Sequence, residues 1–154
     1  MGSQERPLER PAVPSVRIKR MTVASGRLSC EVEVDPPGAC TTPELMERLC
    51  SQFPRLPRHA CVNDRGPVFG SVMDCTPLPH ALEHLVVELQ AQAAAQKGGR
   101  APEGGVFVGT TEWSDEARTK AVVRVSFADD FDALRAFRDA ASCLDDALRY
   151  TAAL

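Results

Sequence analysis

The chain has 154 residues, 44% hydrophobic and 25% charged, with 18 Lys and Arg against 21 Asp and Glu for a formal net charge of -3. That length suits one domain with a hydrophobic core of its own, and the composition is that of an ordinary soluble globular protein. The charge balance argues against nucleic-acid binding, which needs a clustered basic surface, and no apolar run approaches the roughly 20 residues that span a bilayer.

The start, MGSQERPLERPAVPSV, has no hydrophobic signal region and reads as a flexible arm over residues 1–14, ahead of a single domain over 15–154. Arg6 stands where a myristoylation signal carries Ser or Thr, so a cytoplasmic protein without membrane attachment is expected. Cys30, Cys40, Cys50, Cys61, Cys75 and Cys143 include no C-x-x-C pair. Free thiols are therefore expected, rather than a disulfide framework or a zinc knuckle.

Ser15 to Val23 alternates in part, through Val16, Ile18, Met21 and Val23, and reads as a strand. After a turn at Ala24-Ser25-Gly26-Arg27, Leu28, Cys30, Val32 and Val34 alternate cleanly, so the two strands form a hairpin that Asp35-Pro36-Pro37-Gly38 ends. Thr42 is the expected N-cap of a first helix with Pro43 in its first turn and Leu45, Met46, Leu49 and Phe53 as its apolar stripe. Pro54 and Pro57 end it, and an irregular stretch runs to about Thr76. A second helix is predicted from a Thr76 cap and Pro77 to about Gln96, where Lys97-Gly98-Gly99 stops it and a loop at Arg100–Gly105 follows. Strands are predicted at Val106–Thr111 and Lys120–Phe127, with a turn at Ser114-Asp115-Glu116 between them. A last helix starts at Ala128-Asp129-Asp130 and buries Leu134, Phe137, Ala141, Leu144 and Leu148. The order β-β-α-α-β-β-α predicts an α+β fold, with an antiparallel or mixed four-stranded sheet and helices packed on one face.

Chemistry concentrates in the second helix, in the segment His80 to Gln90, HALEHLVVELQ. His80, Glu83 and His84 spell H-x-x-E-H, the inverted form of the zinc-peptidase helix motif, in which two imidazoles one turn apart share a metal and a carboxylate moves a proton. At about 100° per residue, Leu82, Leu85, Val86, Leu89 and Ala93 form a core-facing stripe. His80, Glu83, His84, Val87 and Glu88 fall on the opposite half, which argues against a buried core histidine and leaves a solvated polar face or a ligand set. A catalytic zinc site commonly takes three protein ligands. The third would come from His59, from Glu88 one turn on, or from an acid of the last helix such as Asp130; spacing does not choose. Asp129, Asp130 and Asp132 are otherwise accounted for as acids at a helix start, and no G-x-S-x-G elbow, phosphate loop or dinucleotide fingerprint occurs.

HALEHLVVELQ resembles the H-x-x-E-H-x-x-x-E-L-Q segment of the N-terminal domain of cyanophycin synthetase. His59-Ala60-Cys61 is similar to an H-x-C element of that domain, Val106–Thr111 to its V-x-F-G-R-T strand, and Val122–Asp130 to the strand and acidic helix start that follow. The likeness covers roughly residues 55–150. Thr110 stands where the pattern has arginine, and Arg65-Gly66-Pro67-Val68-Phe69 follows a glycine-rich stretch only loosely. The synthetase's ATP-grasp and Mur-ligase-like parts have no counterpart here, so a stand-alone module is expected.

What the resemblance implies is a substrate-binding module, in some members with a metallopeptidase-like site on H-x-x-E-H. Carried over by position, His80 and His84 would be ligands and Glu83 the base. Two functions follow: a zinc-dependent hydrolase of peptide or isopeptide bonds, or a non-catalytic module for peptide or polymer binding or for assembly. The expected partner is a peptide or Asp/Arg-rich polymer, with a homo-oligomer open, and zinc is the expected cofactor if the module is an enzyme.

Overall fold

A computed structural model of the chain describes residues 12–98 and 106–154. Strands β1 (Ser15–Ala24) and β2 (Arg27–Asp35) form the expected hairpin. Its two-residue turn puts Ser25 at φ 51 and Gly26 at φ 73; positive φ at both central positions matches the right-handed twist of the flanking strands. The antiparallel register shifts between Ile18 and Arg20. That irregularity explains why the apolar alternation changes phase along β1: with one extra residue inserted, Ile18 and Met21 both pack against the core. On β2, Leu28, Cys30, Val32 and Val34 are all buried, as the alternation requires.

Strands β3 (Gly109–Trp113) and β4 (Lys120–Ser126) complete a four-stranded antiparallel sheet in the order β1-β2-β4-β3. Asp115 shapes the turn between them, its carboxylate accepting from the Thr119 and Lys120 N–H groups at 3.0 Å and from the Thr119 hydroxyl. Helices α2 (Leu78–Gln96) and α3 (Asp130–Ala152) cover the buried face, α2 over β3 and β4 and α3 over β1, while α1 (Pro43–Gln52) packs against α3 and the turn at Met73–Cys75. The Thr42 hydroxyl accepts from the Leu45 N–H and the Asp129 carboxylate from the Asp132 N–H, satisfying free first-turn donors. Phe137, Leu144 and Leu148 face inward from α3 as expected. All six cysteines are free thiols, and burial pushes the Cys30 thiol up to about 12.

Three boundaries differ from the sequence reading. Strand β3 begins at Gly109 rather than Val106 and runs on to Trp113. Its partner β4 ends at Ser126, so residues before Val108 have no opposite strand; Val108 itself pairs only through the Ser126 N–H and hydroxyl. Helix α2 begins at Leu78 with Pro77 as its cap residue. The Thr76 hydroxyl is drawn instead to the His80 ring, 2.8 Å from Nδ1, while the Thr76 N–H donates to the Thr41 hydroxyl. Residues 1–11 of the expected arm and the expected loop at Arg100–Gly105 lie outside the described residues. Among the described residues, no helix is long and apolar enough to cross a membrane.

Candidate metal centre

The polar side of α2 does not face solvent. His84, Glu83 and Glu88 are only 3%, 6% and 3% exposed. The expectation that a histidine opposite the apolar stripe would not be buried is therefore corrected for His84, and so is the solvated-face alternative. Periodicity describes one helix and cannot register a loop folded over it. Here the irregular segment after α1 does the covering, in three short turns at Leu56–Arg58, Phe69–Ser71 and Met73–Cys75. Phe69 is fully buried; its ring stacks on His84 with centroids 4.1 Å apart and meets His80 edge-on at 5.2 Å.

The same segment delivers His59 and Cys61. Ala60 bridges to Val68, the Phe69 N–H donates to the His59 carbonyl and the Cys61 N–H to the Pro67 carbonyl, making a small two-stranded turn. The Asn63 side chain braces it, accepting from the Arg65 and Gly66 N–H groups and donating to the Val68 carbonyl. In extended backbone, residues two apart project to one side, and His59 and Cys61 both meet α2.

Four side chains then converge. His80 Nε2 lies 3.2 Å from His84 Nε2 and 3.4 Å from Cys61 Sγ. One ligand atom from each of Cys61, His80 and His84 falls within 4.8 Å of the others. His84 Nδ1 lies 3.2 Å from His59 Nδ1, and His59 Nε2 lies 2.8 Å from Glu88 Oε2. Arg55 closes this chain, with Nε 3.1 Å and Nη2 3.0 Å from Glu88 Oε1, and Gln92 donates to the same oxygen at 3.3 Å.

Neutral imidazoles carry one donor and one acceptor nitrogen each, and two assignments satisfy every outer contact, differing only at His80. In both, His59 donates from Nε2 to Glu88 and His84 donates from Nδ1 to His59 Nδ1; His80 Nδ1 either donates to the Thr76 hydroxyl or accepts from it. In the first, both Nε2 lone pairs face each other beside a thiol, the set that a shared cation requires; in the second, His80 donates from Nε2 to His84 Nε2. Burial, followed by the neighbouring rings of His80 and His59, lowers His84 to about 3, and burial lowers His80, so both rings are unprotonated near neutral pH.

The separations suit such a cation. Around a tetrahedral zinc with Zn–N near 2.1 Å and Zn–S near 2.3 Å, two nitrogens stand about 3.4 Å apart and a sulfur and a nitrogen about 3.6 Å. The Glu88–His59–His84 chain has the form of the carboxylate-bearing outer shell that fixes a ligand histidine's tautomer.

Glu83 occupies the other side. Its Oε1 accepts from the Thr111 hydroxyl at 2.7 Å and its Oε2 lies 3.7 Å from His84 Nε2. Burial raises its pKa, opposed by the Thr111 hydrogen bond. Gly109 makes room for it: a Cβ there would lie 2.7 Å from Glu83 Cγ. Beside the cluster, a cavity of about 990 Å³ opens between α2 and β3.

Of the residues singled out in the sequence, His80, His84, Glu83, His59 and Glu88 are thus brought together. His59 and Glu88 spend their ring and carboxylate atoms on each other and on Arg55 and His84. Asp130 sits in the first turn of α3 and does not line the cavity. Cys61 went unread as a ligand; its two-residue spacing from His59 was the available signal.

The fold and site define an α+β protein with a partly buried histidine-cysteine cluster beside a cleft. Its family is the cyanophycin synthase-like N-terminal domain, whose profile matches residues 28–148, and the chain belongs to that family. No curated protein and no solved structure matches the chain.

Proposed function

We propose that the chain holds a divalent metal, zinc by donor type, on Cys61, His80 and His84, and hydrolyses an amide bond of peptide or isopeptide kind. The observation that carries this reading is the pair of Nε2 atoms 3.2 Å apart beside Cys61 Sγ, with every outer ring nitrogen already engaged. Two imidazoles and a thiolate suit zinc better than magnesium or calcium, which take oxygen ligands. Bound there, such an ion polarises a carbonyl and makes water acidic.

The protein's own share of the chemistry falls on Glu83. Its Oε2 faces the metal-binding edge of His84, while Thr111 fixes the other oxygen. Desolvation raises its pKa against the opposing Thr111 hydrogen bond, which makes the carboxylate a better proton acceptor than an exposed one. In hydrolysis the C–N bond breaks, the hydroxyl of water joins the carbonyl carbon, and Glu83 carries the released proton to the leaving nitrogen. Phe69 and the turn around it keep bulk water from the back of the histidines.

A second reading is a binding module in which the cluster only ties the covering segment to α2. It is favoured by the Arg55–Glu88–His59–His84 network, which joins the two through direct contacts.

Metal analysis of purified protein separates the two. The hydrolase reading expects about one zinc per chain, lost in His80→Ala, His84→Ala and Cys61→Ala, and amine release that Glu83→Gln abolishes. Metal-free protein whose melting temperature ignores added zinc would overturn it.

A further inference from the structure

We propose that the cleft beside this centre takes an extended peptide with apolar side chains, bound as an added strand on the free edge of β3. This rests on the hydrolase reading for its chemistry, but its occupant is argued from the cleft alone.

β3 is an edge strand, paired with β4 on one side only. The Ser126 N–H donates to the Val108 carbonyl and the Ser114 N–H to the Lys120 carbonyl, in the register that sets Thr110 opposite Arg124 and Glu112 opposite Val122. In an antiparallel ladder, backbone groups alternate between facing the partner and facing away. Val108, Thr110, Glu112 and Ser114 therefore face β4, and the N–H and C=O groups of Gly109, Thr111 and Trp113 point to the open side. Among the described residues, no strand pairs with that side. It is the same stretch that lines the cavity, and Thr111 is the residue whose hydroxyl holds Glu83. A chain laid along this edge meets the strand through backbone hydrogen bonds and passes the carboxylate at a fixed register.

The walls decide what side chains it carries. Facing β3 across the cavity are Val87, Ala91 and Ala94 of α2. Val62, Val106 and Val108 also line it while 107%, 65% and 46% exposed, apolar surface left at the cleft rather than in the core. Among the described residues, no lysine or arginine lines the cavity. Of the two acids among the described lining residues, Glu112 pairs with Arg124 at 2.6 Å and Glu83 is held by Thr111. The described walls of the cleft thus offer no lysine or arginine to an aspartate-rich chain and no unpaired surface acid to its arginines. Burying such charges without partners is unfavourable, whereas apolar side chains gain from the same walls.

The test uses purified full-length protein carrying Glu83→Gln, so that a bound peptide survives. Fluorescence anisotropy would compare a labelled hexapeptide of Val, Leu and Ala with one of alternating Asp and Arg, and with the apolar peptide N-methylated at every second residue in each of the two phases. The expected result is at least tenfold tighter binding of the apolar peptide, at least tenfold weakening by one N-methylation phase only, and loss of binding in Ala91→Glu. Equal or tighter binding of the charged peptide, indifference to both N-methylation phases, or no binding of the apolar peptide overturns the proposal. Apolar binding without zinc or amine release would keep this occupant and defeat the hydrolase reading; zinc and hydrolysis confined to charged peptides would do the reverse.

Discussion

Helix α2 buries two glutamates five residues apart, and their surroundings assign them opposite work. Glu88 lies in a nest of donors, with Arg55 and Gln92 on one oxygen and His59 on the other. Glu83 has one hydroxyl donor and no arginine or lysine in contact among the described residues; its one close basic neighbour, His84, is held neutral by burial. A carboxylate with partners on both oxygens is a fixed anion suited to orienting a histidine. A desolvated one with a raised pKa is suited to exchanging protons. The family motif supplies both residues, but the difference between them comes from the segment that covers one end of the cluster and from β3, which borders the other.

Removing each charge in turn breaks the comparison most directly. Glu83→Gln keeps the volume and the Thr111 contact, so zinc content should stay at the wild-type level while amine release falls about 10²–10⁴-fold. Because the substitution removes a desolvated carboxylate, the melting temperature of the metal-free protein should hold or rise. A variant that lost zinc along with activity would mean that Glu83 is a ligand rather than a base.

Acid sharpens the contrast, because the two sides of the cluster respond with opposite sign. The folded-state pKa of His84 is lowered from 6.5 to about 3. The unfolded chain therefore binds the extra proton first, and metal-free protein should lose stability as pH falls from about 6.5 toward 3, on the order of 4 kcal/mol in all. The pKa of Glu83 is raised, so its contribution to stability is present below the unfolded carboxylate value and lost as pH rises through its folded value. In the wild type it partly offsets the histidine loss. Chemical denaturation of chelator-treated protein from pH 7 to 4 should show a steeper decline in Glu83→Gln; parallel curves would count against a raised carboxyl.

Glu88→Gln should act on the metal rather than on the proton. With the charge gone, His59 and His84 lose what orders their tautomers, and zinc affinity is expected to fall about 10–100-fold by competition with a chelating dye. At saturating zinc, amine release should return to near the wild-type rate, which it would not do if Glu88 were itself the base.

How much of this was legible beforehand follows from what each pattern encodes. Alternation in β2, the cap at Thr42 and the stripe of α3 are local, and they placed those elements. His80 and His84 one turn apart, with Glu83 beside them, were likewise local. The burial of His84 was not, because Phe69 reaches it from a loop whose path depends on the Ala60–Val68 bridge and on Asn63. Cys61 was hidden for the same reason: its approach to His80 needs that loop closed. The start of β3 was misjudged because an apolar run, Val106 to Val108, continued past the end of the strand that pairs with it.

The smallest effects come from two glycines that test whether the Glu83 side depends on space or on backbone freedom. A Cβ at Gly109 would press on Glu83 at 2.7 Å from Cγ and 3.1 Å from Cδ. Gly109→Ala should therefore shift the carboxylate and lower amine release about tenfold, with zinc content unchanged; a few tenths of an ångström suffices where a proton must travel a short fixed distance. Gly26, in the hairpin turn, has nothing within 4 Å of its Cβ position but sits at φ +73. Gly26→Ala should reduce stability by about 1 kcal/mol through backbone strain and leave amine release alone. Equal losses of activity in both variants would mean that Gly109→Ala acts through general destabilisation. A loss confined to Gly109→Ala would trace it to the room this residue leaves for Glu83.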